Sequence, residues 1–381
     1  MLAASCWRER REYMKERRLK LAIIGGGLMG KELVSGAKRW CHLKLDVPQP
    51  EIVGVATRTK ESLKWFEAHV EELQWATTDY QELLEQAEID AVYCAVPHHL
   101  HQKIYTDVIR AGKHLLGEKP FGIDLHAARE IEKVAKEHPQ VLVRCASQMA
   151  FYPGAQRIYQ MFVDDAFGDI LEVKAGFLHS SDMDLEKKIN WKRQAEYNGR
   201  SGCLGDLGMH TQLLPIRAGI SFQSVFADLR NFVPRRKNSQ GEYVDSDTFD
   251  NATLLVQGQR KGQTFPLLFE TKRLSPGSTN NWYIEVLGMK ASGRFTTEDA
   301  NAFYFLRTEG GQQAWQRVNI GYQSAIPTIT GPIFEFGFSD AVLQMLGAFV
   351  AEIWGVQTGF SCFTLEEALA SWRLMDGAMR S

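Results

Sequence analysis

The stretch Leu21-Ala22-Ile23-Ile24-Gly25-Gly26-Gly27-Leu28-Met29-Gly30 decides the fold. Four apolar residues run straight into a glycine series in which Gly25, Gly27 and Gly30 satisfy G-x-G-x-x-G, so the segment reads as strand, tight turn and helix start. Glycines permit the turn and let the main chain approach a pyrophosphate, whose charge then sits at the helix N-terminus. Gly25, Gly27, Leu28, Met29 and Gly30 are therefore candidate contacts of a dinucleotide.

Downstream, short apolar runs alternate with amphipathic ones: Ile52 to Ala56 before Ser62 to His69, Ala91 to Ala95 before Leu100 to Ala111, then His114 to Leu116. Such alternation predicts a parallel sheet with helices on both faces. Ligands of these sheets bind at the carboxyl ends of the strands, which brings Thr57-Arg58, Val96-Pro97-His98 and Glu118-Lys119-Pro120 to one edge. A helix over Asp124 to Glu137 and a strand over Val141 to Cys145 lead out of this region. From Ile170 onward, strand-like runs at 170–177, 253–257, 267–271, 282–286 and 303–306 recur between turns, predicting an open, mostly antiparallel sheet. Helix returns at the end, where Thr364 and Glu367 have the spacing of a capping box before Ala368 to Met379. The expected class is α/β: an extension (1–19), a Rossmann domain with a doubly wound parallel sheet (20–145), and an α+β domain for substrate binding and oligomerisation (146–381).

Composition narrows the function. Of 381 residues, 44 are Lys or Arg and 46 are Asp or Glu, so no global field recruits nucleic acid or an anionic membrane. No uninterrupted apolar run reaches the roughly eighteen residues of a membrane span. The six cysteines are scattered without C-x-x-C, as reduced thiols would be. Arg17-Arg18 has the look of a twin-arginine export signal, yet the apolar run after it is the first strand itself, and cleavage there would destroy the nucleotide site. A cytoplasmic protein starting at Met1 or Met14 is expected. His98, His99 and His101 lack an acidic or cysteine partner nearby in sequence, so no metal site is expected.

A second constellation is Gly202-Cys203-Leu204-Gly205-Asp206-Leu207-Gly208-Met209-His210. Asp206 and His210 are four apart, so on a helix they share a face, as an acid-base pair requires. The plainer reading is a glycine-rich helix start, with Asp206 capping and His210 in the core.

Together, Gly25 to Gly30, Ala95-Val96-Pro97-His98 with His101, Ala111 to His114, Glu118-Lys119-Pro120 and Gly205 to His210 resemble the glucose-fructose oxidoreductase, inositol dehydrogenase and MocA (Gfo/Idh/MocA) family. The resemblance implies a nicotinamide cofactor on the first domain, contacted also by Ala95, Val96, Pro97, His98, His101, Glu118 and Lys119. It implies a sugar, polyol or glycoside on the second, and a catalytic set of Lys119, Asp206 and His210. Chemically, oxidising a secondary alcohol needs a base for the hydroxyl proton and a group that stabilises oxyanion character. His210 is the expected base, Lys119 the polarising group, and Asp206 orients His210 or holds a substrate hydroxyl. Trp191-Lys192-Arg193, an aromatic face with two cations, and Tyr152 resemble family positions that line the cleft, and the polar segment 180–200 reads as a flexible cleft wall.

Thr57 and Arg58 end the second strand without an acid, which favours NADP over NAD. An open sheet face in the second domain points to a homodimer or homotetramer. Two other functions stay open: a noncatalytic sugar or nucleotide sensor of the same fold, and a glycoside-cleaving enzyme that uses transient oxidation by bound NAD.

Overall fold

The structure is a computed structural model and describes residues 18–308 and 313–381, so the expected extension over 1–19 lies outside the described residues apart from Arg18 and Leu19. The first half follows the order β1 (Lys20–Ile24), α1 (Leu28–Lys38), β2 (Glu51–Ala56), α2 (Lys60–His69), β3 (Trp75–Thr77), α3 (Tyr80–Leu84), β4 (Ala91–Cys94), α4 (His101–Arg110), β5 (His114–Glu118), α5 (Leu125–Glu137) and β6 (Val143–Ala146). These strands pair in parallel in the order β3-β2-β1-β4-β5-β6, so the direction of winding reverses between β1 and β4, beside the glycine turn. β4 is buried throughout and β1 from Leu21 to Ile24, which is why both read as continuous apolar runs rather than alternating ones.

The second half contains α6 (Pro153–Val163), β7 (Ile170–Leu178), α7 (Ala195–Asn198), α8 (Cys203–Arg217), β8 (Ser221–Arg230), the hairpin β9 (Arg235–Lys237) and β10 (Tyr243–Asp245), β11 (Asn251–Arg260) and β12 (Gln263–Lys272). It continues through β13 (Asn281–Gly288), β14 (Ala291–Thr296), β15 (Ala302–Arg307), β16 (Gln316–Asn319), α9 (Phe338–Ile353), β17 (Phe363–Thr364) and α10 (Leu365–Ala378). An eight-stranded sheet runs β16-β15-β14-β13-β7-β12-β11-β8, antiparallel except where β7 meets β12. Its inner face, including Leu254, Phe269, Trp282 and Ile284, packs under α8, whose residues from Cys203 to Pro215 are all buried. A helix buried on every side needs cover on both, and α10 supplies the other.

The sequence pattern locates the centres of β7, β11, β12, β13 and β15 but not β8, β14 or β16. β8 has no fully buried position, and β14 reads Ala-Ser-Gly-Arg-Phe-Thr, a poor strand former apart from its end. The capping box at Thr364 and Glu367 is present, each side chain bonded to the other's main-chain N–H. One feature crosses the expected division at residue 145. Phe363 and Thr364 of β17 pair antiparallel with Cys145 and Arg144 of β6, adding a seventh strand to the first sheet. The adjacent Arg144–Glu352 ion pair (2.6 Å) fastens the same edge.

Candidate active site

The turn after β1 has the shape a dinucleotide needs. Gly25 has φ 116°, and a Cβ there would lie 2.3 Å from the Ala95 carbonyl oxygen. A Cβ on Gly30 would lie 2.2 Å from the Gly25 oxygen, so these two glycines serve close packing of turn, strand and helix. Gly27 is different: a Cβ there meets nothing within 4 Å, leaving open space at the N-terminus of α1. Leu28 beside it is exposed and Met29 half-buried. At the end of β2, Thr57 packs against Gly26 and donates to the Thr59 carbonyl (2.8 Å), while Arg58 is exposed and has no ion-pair partner among the described residues.

The ring of His101 sits between the loops after β4 and β5, its one N–H donating to one of them. Its two ring nitrogens lie 2.8 Å from the Pro120 carbonyl and 3.0 Å from the Val96 carbonyl, and burial holds its pKa down to about 4. Glu118, expected to face the cofactor, turns into the core instead. Its carboxylate accepts from the Tyr93 hydroxyl (2.7 Å), its carbonyl accepts from the Tyr105 hydroxyl (2.7 Å), and burial raises its pKa. The next peptide, Lys119-Pro120, is cis.

Lys119 Nζ donates to the Asp206 carbonyl (2.7 Å) and to Asp206 Oδ1 (3.0 Å). The same carboxylate accepts from Lys192 Nζ at 3.2 and 3.0 Å and pairs with the Arg273 guanidinium. His98 Nε2 stands 3.8 Å from Asp206 Oδ1, with the His98 ring edge-on to Trp191. Asp206 lies in the first turn of α8, whose N-cap is Gly202, so it does not cap the helix.

Asp206 and His210 are four residues apart on α8 but are not bonded to one another. An ionised carboxylate offers about four lone-pair sites, and three cations occupy them. His210 is instead held through Nδ1 by Ser147 Oγ (2.9 Å), with its carbonyl accepting from Trp282 Nε1 (2.8 Å) and its ring edge-on to Phe177. Ser147 and Arg273 thus join the site without having been expected there, and Lys192 joins it from the stretch expected to line the cleft. Ser147 follows β6 with no motif to mark it, and Arg273 reaches Asp206 only because β12 ends beside α8.

The remaining expectations divide. Trp191 adjoins the cluster through His98. Arg193 is buried and paired with Asp182, and Tyr152 is buried against Phe295 and Phe336, where burial pushes its hydroxyl up to about 12; neither side chain meets Lys119 or His210. The segment 180–200, expected as a loose cleft wall, is braced by Arg236, whose guanidinium donates to the carbonyls of Asp182, Asp184 and Lys187.

Burial governs the electrostatics. It lowers Lys119 to about 8, with Glu118 opposing and Arg273 adding to the shift. Burial, then Lys119, His179 and Lys192, hold His210 well below the usual histidine range, so its imidazole is neutral at neutral pH.

Residues 19–145 match the family model described as "Oxidoreductase family, NAD-binding Rossmann fold", GFO_IDH_MocA. The match to the Gfo/Idh/MocA model covers the dinucleotide-binding domain, residues 19–145. Among curated proteins similar to this chain, levoglucosan dehydrogenase of Pseudarthrobacter phenanthrenivorans is 24% identical over 58% of this chain and 57% of its own length. Glucose-6-phosphate 3-dehydrogenase of Bacillus subtilis is 23% identical over 74% of this chain and 76% of its own length. The chain thus spans little more than half of the first of these relatives. A solved structure of levoglucosan dehydrogenase in complex with NADH and L-sorbose shares the fold, with a TM-score of 0.84 at 20% identity, covering 96% of each chain.

The open space at Gly27 has a direct test. Gly27→Val fills it, and NADH affinity measured by fluorescence titration should fall by about tenfold or more with the thermal midpoint little changed. An unaltered affinity would remove the turn from the cofactor site.

Proposed function

We propose that this protein is an NAD(P)-dependent dehydrogenase acting on a secondary hydroxyl of a sugar, polyol or glycoside. The observation that carries this reading is the meeting of Lys119, at the end of β5, with Asp206, one turn from His210 on α8, beside the carboxyl edge of a nicotinamide-binding sheet. The names of the relatives, a levoglucosan and a glucose-6-phosphate dehydrogenase, support the substrate class.

A nicotinamide dinucleotide, bound along Gly25, Gly27 and Leu28, supplies the hydride acceptor. His210 is the base. With Nδ1–H donated to Ser147 Oγ, its Nε2 carries the lone pair, and the Ser147 oxygen continues to accept after Nε2 takes the hydroxyl proton. Lys119 in its protonated form stabilises the oxyanion character that develops as the proton leaves. Asp206 positions the Lys119 ammonium rather than taking a proton itself.

The test follows reduction of NAD or NADP by near-ultraviolet absorbance over aldoses, inositols, sugar acids and intact glycosides. His210→Asn and Lys119→Met should each lower kcat by roughly 10²–10⁴ with NADH affinity preserved. In the parent, kcat/KM should rise with pH through the depressed His210 pKa and fall as Lys119 loses its proton near pH 8. Lys119→Arg should move that alkaline fall upward. Full activity in either loss variant would end its assigned role. Glycoside cleavage without net reduction would favour transient oxidation by bound NAD, and silence with cofactor bound would favour a sensor.

Arg58, exposed and without an ion-pair partner among the described residues, supports NADP as the preferred cofactor, through the 2′-phosphate of that cofactor. Arg58→Ala should weaken NADP far more than NAD, and an unchanged ratio of dissociation constants would overturn that preference.

Exposed Phe226 on β8, opposite exposed Leu255 on β11 and beside Pro266, supports self-association through the outer face of the second sheet. Light scattering should give the mass of two or four chains, and the mass of one would contradict it.

A further inference from the structure

We propose that the substrate carries an anionic group, a carboxylate or a phosphate, which Lys192 and Arg273 hold beside the reacting hydroxyl. The inference rests on the dehydrogenase reading above and deepens it.

The argument begins with a mismatch between donors and acceptors. Lys119, Lys192 and Arg273 all converge on the single Asp206 carboxylate, which is 2% accessible, and they fill its lone-pair sites. Two ammonium groups and a guanidinium present many more N–H donors than that carboxylate can receive. Arg273 Nε is buried with no partner, and Asp206 is the only acceptor that the Arg273 side chain meets among the described residues. The neighbouring carboxylates are already engaged: Asp182 with Arg193 and Lys187, Glu118 with the Tyr93 hydroxyl. The site therefore has spare donors and more cations than carboxylates in direct contact with them, with the Glu118 charge acting on Lys119 and Lys192 at longer range.

Uncompensated buried charge is costly, and a neutral sugar does not offset it, because hydroxyl oxygens accept hydrogen bonds without carrying a countercharge. A carboxylate or phosphate does both, and the guanidinium fork matches either in two-point geometry. The titration behaviour agrees. Burial, then Arg273, Lys119 and Arg193, push Lys192 well below the usual lysine range, and burial with Arg193 brings Arg273 down to about 10. Arg273 opposes the charge on both lysines, Lys119 opposes that on Lys192, and a second anion would relieve these repulsions together.

The experiment compares matched substrates with the full-length protein and its cofactor: D-gluconate and D-glucuronate, glucose 6-phosphate, and neutral D-glucose and myo-inositol. An acid or the phosphate should exceed the neutral compounds in kcat/KM by about tenfold or more, the scale of a charge-assisted hydrogen bond. Which of the two classes leads tells carboxylate from phosphate. In Lys192→Gln, checked for a parent-like thermal midpoint, the ratio of anionic to neutral kcat/KM should collapse toward one. Equal or better turnover of neutral sugars by the parent, or an unchanged ratio in Lys192→Gln, would overturn the inference and leave the dehydrogenase reading standing. If nothing is turned over, the dehydrogenase reading fails on its own, and calorimetry of the same compounds with NADH-loaded protein decides the rest. Tighter binding of the anionic compounds keeps the inference; equal binding or none ends it.

Discussion

One carboxylate organises the centre of this molecule. Asp206 gathers Lys119 from the end of β5, Lys192 from the turn at 191–193 and Arg273 from just past β12, so the two sheets meet through a group that is 2% accessible. Its position in the first turn of α8 places negative charge where the helix dipole favours it. Remove that charge and three cations remain close together in a buried space, a far greater cost than the loss of one ion pair at the surface. Through it, residues from β5, the turn at 191–193 and the end of β12 are tied to the first turn of α8.

Around that centre, the groups that would do chemistry are each restrained by something else. His210 is fixed through Ser147 and Trp282, so its ring presents a defined nitrogen. The loop carrying Lys119 abuts the His101 ring on one side and is held, through the Phe121 carbonyl, by Trp372 Nε1 of α10 on the other (3.0 Å). Such outer restraints narrow the positions that Lys119 can occupy, which is what an orientation-dependent reaction demands.

The first sheet was largely legible because its inner strands are buried on both faces and its glycines have steric reasons: Gly25 and Gly30 sit within close reach of backbone oxygens, whereas the edge strand β3 has no buried residue and was missed. The eight-stranded sheet was legible only where alternation is anchored by buried residues, as at Trp282, Ile284 and Val286, and it faded at β8, where every inward residue is only half-buried. Within the site, the spacing of Asp206 and His210 correctly put them on one helix, but spacing along a chain says nothing about partners from other elements. Ser147, Lys192 and Arg273 come from three separate places, and topology alone unites them. Arg193 shows the converse. It stands next to Lys192 in a stretch that reads as a cleft lining, and a buried Asp182 claims it.

The pairing of β17 with β6 matters for how the chain acquires its shape. Arg144 and Glu352, which fasten that edge, are 208 residues apart in sequence. As the polypeptide leaves the ribosome, the dinucleotide-binding sheet emerges ahead of β17 and keeps an unpaired border until residues 363–364 have been synthesised. The nucleotide-binding half is therefore not a detachable module: a fragment cut after β6 would expose an open strand and lose the helices α9 and α10 that cover it. Long-range closure of this kind slows folding and links the fate of the two halves, so damage near the carboxyl end is felt at the opposite end of the chain.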